Sequence, residues 1–242
     1  MPIEISEAPS VVGSPAQDWK PLAPRINSRL IKADATYASI EQLCAQASHS
    51  GCHSVVVSPA HIGLCAFLLS GTPTRIGTLI GFPHGASTTT TKRYEALDAI
   101  RLGAHNLELV MNVSALKSGD RIRVEGEMRS LAEIAHDNGA LLHINIEVAL
   151  LSLEEKILAC QLAVASGSDG VSSGSGFNPV SSLPSDISLM RGVLGDKVDV
   201  IASDGIETLE DVHSIIEAGA SWITTNSAAA IIEAARKNNV DL

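Results

Sequence analysis

The feature that most constrains this chain is a regular alternation of short apolar strands with amphipathic helices, repeated eight times. Runs rich in β-branched residues predict strands at 26–31, 53–57, 75–80, 107–111, 141–146, 170–172, 198–202 and 222–225. Apolar residues at helical spacing predict helices at 38–48, 62–69, 89–102, 123–138, 153–166, 186–194, 209–218 and 228–238. This order predicts an α/β fold, a single closed (β/α)8 TIM barrel. A doubly wound open sheet is the alternative, but the glycine fingerprint that would favour it after the first strand is missing.

Composition supports one large domain of this kind. The chain has 242 residues, of which 45% are hydrophobic and only 3% are aromatic. Its core must therefore be built from Ala, Val, Ile and Leu, which suits parallel strands covered by helices on both faces. The first 25 residues differ, because five prolines and few large apolar side chains predict an irregular extension over 1–25 before a barrel over 26–242.

The net charge and the lack of a recognisable targeting segment limit the expected binding partners and cellular location of the protein. The formal net charge of −10 argues against nucleic acid or an anionic membrane as a partner. No apolar run is long enough to span a bilayer, and no secretory signal is visible, so a cytoplasmic protein is expected. The four cysteines, Cys44, Cys52, Cys65 and Cys160, have neither disulfide nor metal-ligand spacing, so they are expected to be reduced thiols. No metal or other cofactor is expected.

Polar side chains cluster where the predicted strands end, which in a (β/α)8 barrel is where catalytic groups lie. Glu108 and His143 fall on neighbouring strands, and Glu147 shares the strand parity of His143. Glu108 and His143 could carry out acid–base chemistry or, with Glu147, hold a metal. Alternatively, Glu108 and His143 could be a buried pair whose hydrogen-bonding groups are satisfied by each other. The further candidates are Asn27, Asn112, Ser172, Ser173, Ser203, Asp204, Thr225 and Asn226.

Lysine is the other residue of interest, because amine catalysis on a carbonyl substrate needs a lysine in a desolvated site. None of the seven lysines falls inside a predicted strand. Lys32 and Lys117 follow strands and could approach the mouth from loops, although an exposed or loop-anchoring role is the simpler interpretation.

Four segments, in order and at matching strand positions, resemble deoxyribose-phosphate aldolase, a class I aldolase on a (β/α)8 barrel. They are residues 80–90, 111–120, 169–177 and 202–206. The resemblance extends over nearly all of residues 26–235. It implies the barrel fold, a lyase family and, as is common for small barrels of this family, a homodimer.

The resemblance also implies where the catalytic residues would lie, and most of them are replaced. Ser172 stands at the position of the imine-forming lysine, and Ile201 at that of the second lysine, which depresses the pKa of the first. Glu108 stands at the aspartate of the proton relay and His143 at a lysine of strand 5. Asn27 opens the segment that replaces the family's Asp-His-Thr. A serine hydroxyl cannot form an imine, so the family's covalent mechanism lacks its nucleophile here.

The implied phosphate site is altered as well. The family's Gly-Gly after strand 7 corresponds to Asp204 and Gly205, which follow Ser203, and Glu207 stands where the family often has arginine. An aspartate beside a phosphate is repulsive, since unit like charges 4 Å apart cost about 4 kcal/mol at an effective dielectric of about 20. Some loop residues could still bind an uncharged or weakly charged ligand, namely Gly174, Gly176, Asn226 and Ser227.

Three functions follow from these residues. The preferred hypothesis is a catalytically silent aldolase homologue that binds a ligand or an unidentified protein partner and acts in regulation. The second is an enzyme with altered chemistry that uses Glu108 and His143. The third is retained cleavage of deoxyribose phosphate through an unexpected lysine, such as Lys117 reaching inward.

Overall fold

The computed structural model describes residues 21–177, 183–238 and 240, and in it eight parallel strands close into one barrel. Each strand pairs with the next in chain order, and the last returns to the first. The predicted (β/α)8 architecture is therefore confirmed, and the open-sheet alternative is wrong. The strands are β1 (Ile26–Leu30), β2 (Ser54–Val57), β3 (Arg75–Ile80), β4 (Asn106–Val110), β5 (Leu141–Asn145), β6 (Gly170–Ser172), β7 (Asp199–Ser203) and β8 (Trp222–Thr225).

Helices cover the outside of the barrel, and each predicted helix is present with bounds within two residues of those predicted. One short helix, α4, directly follows β4 and is not predicted from the sequence. The helices are α1 (Tyr37–Ser50), α2 (Ile62–Leu68), α3 (Thr89–Leu102), α4 (Val113–Lys117), α5 (Arg121–Asp137), α6 (Leu153–Ala165), α7 (Pro184–Leu194), α8 (Leu209–Glu217) and α9 (Ala228–Lys237).

Local capping explains why the helices begin and end where they do. Thr36 accepts a hydrogen bond from the Ser39 amide and caps α1, and Gly51 ends that helix in a left-handed conformation. Ser152 and Glu155 form a capping box at the start of α6. These side-chain signals lie within four residues of the helix ends, which is why sequence alone could locate them.

The register of the strands identifies which side chains point into the barrel. Val56, Leu79 and Val110 form a small apolar cluster separate from the main core, which lies between strands and helices. Because side chains alternate between the two faces of a barrel strand, the register partners of this cluster also face inward. The inner face thus carries a mixed set that includes Glu108, His143, Asn145, Ser172 and Ile201.

The predicted N-terminal extension is described only at its end, because residues 1–20 lie outside the described part of the chain. There Ala23–Arg25 forms a 3-10 turn that leads into β1. Leu22 and Ala23 are buried in the main core. The division into an extension and a barrel at residue 26 stays a prediction.

The four cysteines are free and buried. Burial raises the pKa of the Cys52 thiol to about 11 and that of Cys160 to about 12. The thiols of Cys52 and Cys160 are therefore protonated at neutral pH, and protonated thiols are poor nucleophiles and poor metal ligands. None of the described helices is long and apolar enough to cross a membrane.

Gly85 anchors the loop between β3 and α3 against the end of β4. Its φ is 63°, and an added Cβ would overlap the Met111 carbonyl group. We expect Gly85→Ala to lower the free energy of unfolding by clearly more than the roughly 1–2 kcal/mol that a left-handed conformation alone costs. Urea unfolding checks this against Gly51→Ala, because Gly51 has φ 73° but nothing within 4 Å of an added Cβ. Equal losses at the two positions would contradict the steric explanation.

Candidate active site

Three side chains that are far apart in the sequence converge at the C-terminal end of the barrel. Arg29 projects from β1 and is only 3% exposed. Its Nη2 donates to Asp204 Oδ1 at 2.5 Å, and its Nε donates to Asn226 Oδ1 at 3.1 Å. Asp204 follows β7 and Asn226 follows β8, so closure of the barrel is what brings these residues together.

Asp204 also holds the loop that follows β6. Its Oδ2 accepts a hydrogen bond from the Gly176 backbone N–H at 2.9 Å. A Cβ on Gly174 would overlap this same oxygen, and a Cβ on Gly176 would lie 2.6 Å from the Arg29 guanidinium carbon. The Asp204 carboxylate thus sits between a backbone amide and a guanidinium, which are the donors that bind anions in proteins.

Ser172 and Ile201, where the resemblance implies lysines, are register partners on β6 and β7. The Oγ atoms of Ser172 and Ser203 are 2.9 Å apart, and the Ser172 hydroxyl also lies 3.4 Å from the Gly174 carbonyl oxygen. Both Ser172 and Ile201 are 1% exposed. These positions are therefore filled by buried, uncharged side chains.

No lysine of the described residues takes over inside the barrel. Lys117 Nζ pairs with Glu155 Oε2 at 2.8 Å on the outer surface, and its side chain is 45% exposed, so the idea that it reaches inward is wrong. Lys92 is buried, but it lies outside the barrel wall, where it pairs with Glu127 of α5. The remaining described lysines are exposed or paired with helix carboxylates: Lys32, Lys156, Lys197 and Lys237.

Glu108 projects from the middle of β4 into the barrel and is 3% exposed. Burial raises its pKa to about 7; the Arg29 charge opposes this rise, and the Asp204 charge adds to it. Its Oε2 has no hydrogen-bond partner among the described residues. A carboxyl group whose pKa is raised toward neutral pH can donate or accept a proton.

His143 is the register partner of Glu108, yet its electrostatic neighbours are different. Burial lowers the pKa of His143, and Asp199 and Asp169 oppose the shift. Asp199 begins β7 and Asp169 immediately precedes β6, so both lie at the N-terminal end of the barrel. The structure shows no hydrogen bond between Glu108 and His143, and it therefore does not support the predicted acid–base pair.

The idea that Glu147 adds a third ligand to this pair finds no support either. Glu147 Oε1 accepts a hydrogen bond from the Ser175 amide at 2.9 Å, so it braces the loop after β6. Within residues 21–177, 183–238 and 240, no group of three or more His, Cys, Asp or Glu is arranged to hold a metal ion.

The remaining predicted site residues are placed at different depths. Asn27 donates to Thr224 Oγ1 at 3.2 Å and accepts from Ser54 Oγ at 2.7 Å, so it links three strands inside the barrel below the mouth. The Ser227 amide donates to Thr225 Oγ1 at 2.9 Å just before α9. Gly205 is exposed on the loop that carries Asp204.

Two inward residues were not singled out by the sequence analysis. Arg29 supplies a cation to a site that was predicted to have lost its cations. Asn145 ends β5 beside Ser172, is 0% exposed, and neither its Nδ2 nor its Oδ1 has a partner among the described residues. Strand parity could have identified both, because Arg29 lies two residues after Asn27 and Asn145 two residues after His143.

Comparison with known proteins places this geometry in context. A model of the DeoC/LacD family of aldolases matches residues 24–223. A deoxyribose-phosphate aldolase of Geobacillus sp. (strain WCH70) is 41% identical over 218 residues, which cover 90% of this chain and 97% of the relative. One from Clostridium perfringens (strain 13 / Type A) is 38% identical over 216 residues, which cover 89% and 96%. The solved structure of QR15, an aldolase, has a TM-score of 0.87 at 29% identity and covers 92% of this chain and 99% of that chain.

Proposed function

We propose that this chain, which belongs to the DeoC/LacD family of aldolases, does not cleave 2-deoxyribose 5-phosphate through an imine and instead acts as a binding or regulatory protein. One observation carries the proposal: the barrel interior holds buried Ser172 and Ile201, while the described lysines lie outside it or on its surface.

The chemistry of the imine explains why this replacement matters. A lysine amine adds to a carbonyl carbon and loses water, and the iminium nitrogen then accepts the electron pair of the breaking carbon–carbon bond. The Ser172 hydroxyl can add to a carbonyl, but loss of water from that adduct would leave an oxocarbenium ion, which is far less stable than an iminium ion. The adduct stops at a hemiacetal, which offers no cationic nitrogen to accept the electrons.

The test combines turnover with trapping. We expect release of acetaldehyde from 2-deoxyribose 5-phosphate to equal the rate without protein, and borohydride to trap no sugar-phosphate adduct detectable by intact mass spectrometry. The Geobacillus aldolase serves as the positive control. Lys117→Met removes the exposed lysine at the end of α4 and shows whether any turnover seen in the parent depends on that residue. Turnover that rises with protein concentration and disappears when one lysine is substituted would overturn the proposal.

The state of Glu108 favours a second candidate, an enzyme that uses this carboxyl group as a general acid or base. The group is buried, and its pKa of about 7 suits proton transfer at neutral pH. Such an enzyme would exchange α-protons of an aldehyde or hydroxyketone in deuterium oxide, and Glu108→Gln would abolish the exchange. If the protein catalyses no exchange with neutral carbonyl probes, this candidate is eliminated.

The other expectations from the sequence stay predictions. A homodimer is checked by light scattering of the purified protein, and the protein partner by affinity capture that must be reproduced with purified components. A cytoplasmic location is likewise proposed, and fractionation of the source cells checks it.

A further inference from the structure

We propose that the Asp204 carboxylate permanently occupies an anion-binding position at the barrel mouth, so that the site accepts a small uncharged ligand bearing hydroxyl or carbonyl groups and rejects its phosphate ester. This inference rests on the proposed function, because it names the class of ligand that would bind at the barrel mouth if no imine forms there.

The donors around Asp204 are those of an anion site. Gly176 presents its backbone N–H at 2.9 Å, and Arg29 presents Nη2 at 2.5 Å. The second terminal nitrogen, Arg29 Nη1, is buried and has no hydrogen-bond partner among the described residues. In (β/α)8 barrels, phosphate groups commonly bind in the loops after strands 7 and 8, which is where Asp204 and Asn226 lie. Here the protein's own carboxylate fills this position.

Asp204 is held firmly in this position by its surroundings. Its side chain is 12% exposed. The loop after β6 packs so closely that no Cβ fits at Gly174 beside the carboxylate or at Gly176 beside the guanidinium. An incoming phosphate would therefore have to expel a buried ion pair or lie next to a like charge, and both are unfavourable.

Below this ion pair, the inner face offers groups that suit an uncharged ligand. Within the described part of the chain, the amide of Asn145 has no partner for its donor or its acceptor, and Glu108 has one oxygen without a partner. Buried amide groups are rarely left unsatisfied, so this arrangement points to a ligand or to ordered water that completes it. Val110, the register partner of Asn145, belongs to the apolar cluster with Val56 and Leu79. The inner face of the barrel thus combines hydrogen-bonding groups with apolar side chains.

Aromatic rings at the rim extend the apolar part of the site. Phe177 follows the glycine loop after β6, and its ring contacts Phe82 and His84 edge-on, with centroids 5.9 Å and 5.1 Å apart. Phe82 is 37% exposed and Phe177 is 50% exposed. Their exposed faces add apolar surface beside the loop that Asp204 holds, which suits a ligand that carries C–H groups as well as polar ones.

The test measures binding of inorganic phosphate by calorimetry to the parent protein and to Asp204→Gly, in which the amide and the guanidinium are released. We expect Asp204→Gly to bind phosphate at least about tenfold more tightly than the parent, because removal of a neighbouring like charge relieves the repulsion. Asp204 has a φ of 78°, a left-handed conformation that asparagine also tolerates. Asp204→Asn, which keeps the side-chain volume, should therefore raise the phosphate affinity as well, by a smaller factor. It also serves as the second variant if Asp204→Gly fails to fold.

Glu210→Gln is the matched control. Glu210 is exposed in the first turn of α8, just after the loop that carries Asp204, so this variant changes the net charge equally without freeing the donors. Its phosphate affinity should remain within about twofold of the parent, since exposed charges are screened by salt. If the parent binds phosphate as tightly as Asp204→Gly, or if neither Asp204 variant gains phosphate binding, the proposed anion position is wrong. Because no turnover is measured, this outcome is independent of the imine test.

The ligand class is tested separately with 2-deoxyribose and 2-deoxyribose 5-phosphate in ligand-detected NMR. We expect the parent to bind the neutral sugar more tightly than its phosphate, and Asp204→Gly to reverse this order. Asn145→Leu should no longer give an NMR binding signal with 2-deoxyribose, because the amide that would bind the sugar is gone. Its melting temperature should rise, because a buried amide without partners has been removed. A parent that prefers the phosphate, or binds neither sugar, would overturn the assignment of an uncharged ligand.

Discussion

Glu127→Leu should lower the free energy of unfolding by about 3–5 kcal/mol, because it leaves the Lys92 ammonium buried without its carboxylate. Lys92 is 0% exposed, and its Nζ donates to Glu127 Oε1 at 2.5 Å and to the Val110 carbonyl at 3.1 Å. Thr89 donates to the second oxygen of Glu127 at 2.9 Å. Burial lowers the pKa of Lys92, while Glu127 and Glu95 oppose the shift. The pair links α3 to α5 and both to the end of β4.

A double-mutant cycle separates the ion pair from simple loss of packing. Lys92→Met should be destabilising by a similar amount, whereas Lys92→Met combined with Glu127→Leu should recover most of the loss, since no buried charge remains unpaired. The control pair is Arg101 and Asp98, whose side chains are 73% and 58% exposed. Alanine at either control position should change stability by no more than about 0.5 kcal/mol. Urea unfolding measures all variants, and a cost below about 1 kcal/mol for Glu127→Leu would show that the buried pair is not important for stability.

Glu108→Gln should raise the free energy of unfolding at pH 8 by about 3 kcal/mol and leave it nearly unchanged at pH 4. The folded-state pKa of Glu108 is about 7 against an ordinary value of 4.5, so the folded protein holds a proton that the unfolded chain releases between these values. The parent therefore loses this stability as the pH rises from about 4.5 to 7. Glutamine is uncharged at every pH and does not incur the cost of burying a carboxylate.

Half-buried His53 and buried His143 act in the opposite direction and must be separated from this effect. Burial lowers the pKa of His53 to about 4 and also lowers that of His143, so their contribution is present above pH 6.5 and is lost on acidification. They are the same in the parent and in Glu108→Gln, so the difference between the two proteins isolates Glu108. Unfolding curves between pH 4 and 8 provide the measurement, and a difference that does not vary with pH would refute the raised pKa.

Sequence patterns were sufficient for the elements of the barrel because their signals are local. Strand β3 and helix α3 were predicted with their observed bounds, since β-branched residues and a terminal glycine mark them within a few positions. Helix α4 was missed because its five residues are too few to establish a helical period. Strand β6 was found despite its three residues, because an apolar segment between a helix end and a glycine-rich loop marks it.

The candidate site was only partly predictable. Ser172 and Ile201 were identified because a resemblance aligns single positions, and residue identity alone shows that the amines are absent. The sequence left open whether Glu108 and His143 pair, because neighbouring strands do not by themselves bring two side chains into hydrogen-bond contact. The folded chain shows no such bond, and the charges that influence the pKa of His143 are those of Asp199 and Asp169 at the other end of the barrel. Arg29 was not recognised as a partner of Asp204 because 175 positions separate them.

The sequence by itself determined the (β/α)8 barrel and the absence of an imine-forming amine at Ser172, because periodicity and residue type are properties of short segments. Only the tertiary structure decided that the Asp204 carboxylate lies between the Gly176 amide and the Arg29 guanidinium, that Asn145 has no hydrogen-bond partner among the described residues and that burial raises the pKa of Glu108. Hydrogen bonds across the barrel depend on closure of the sheet, and a pKa shift depends on how much water the folded chain excludes. Neither the hydrogen bonds across the barrel nor the pKa shift can be inferred from residues that are neighbours along the chain.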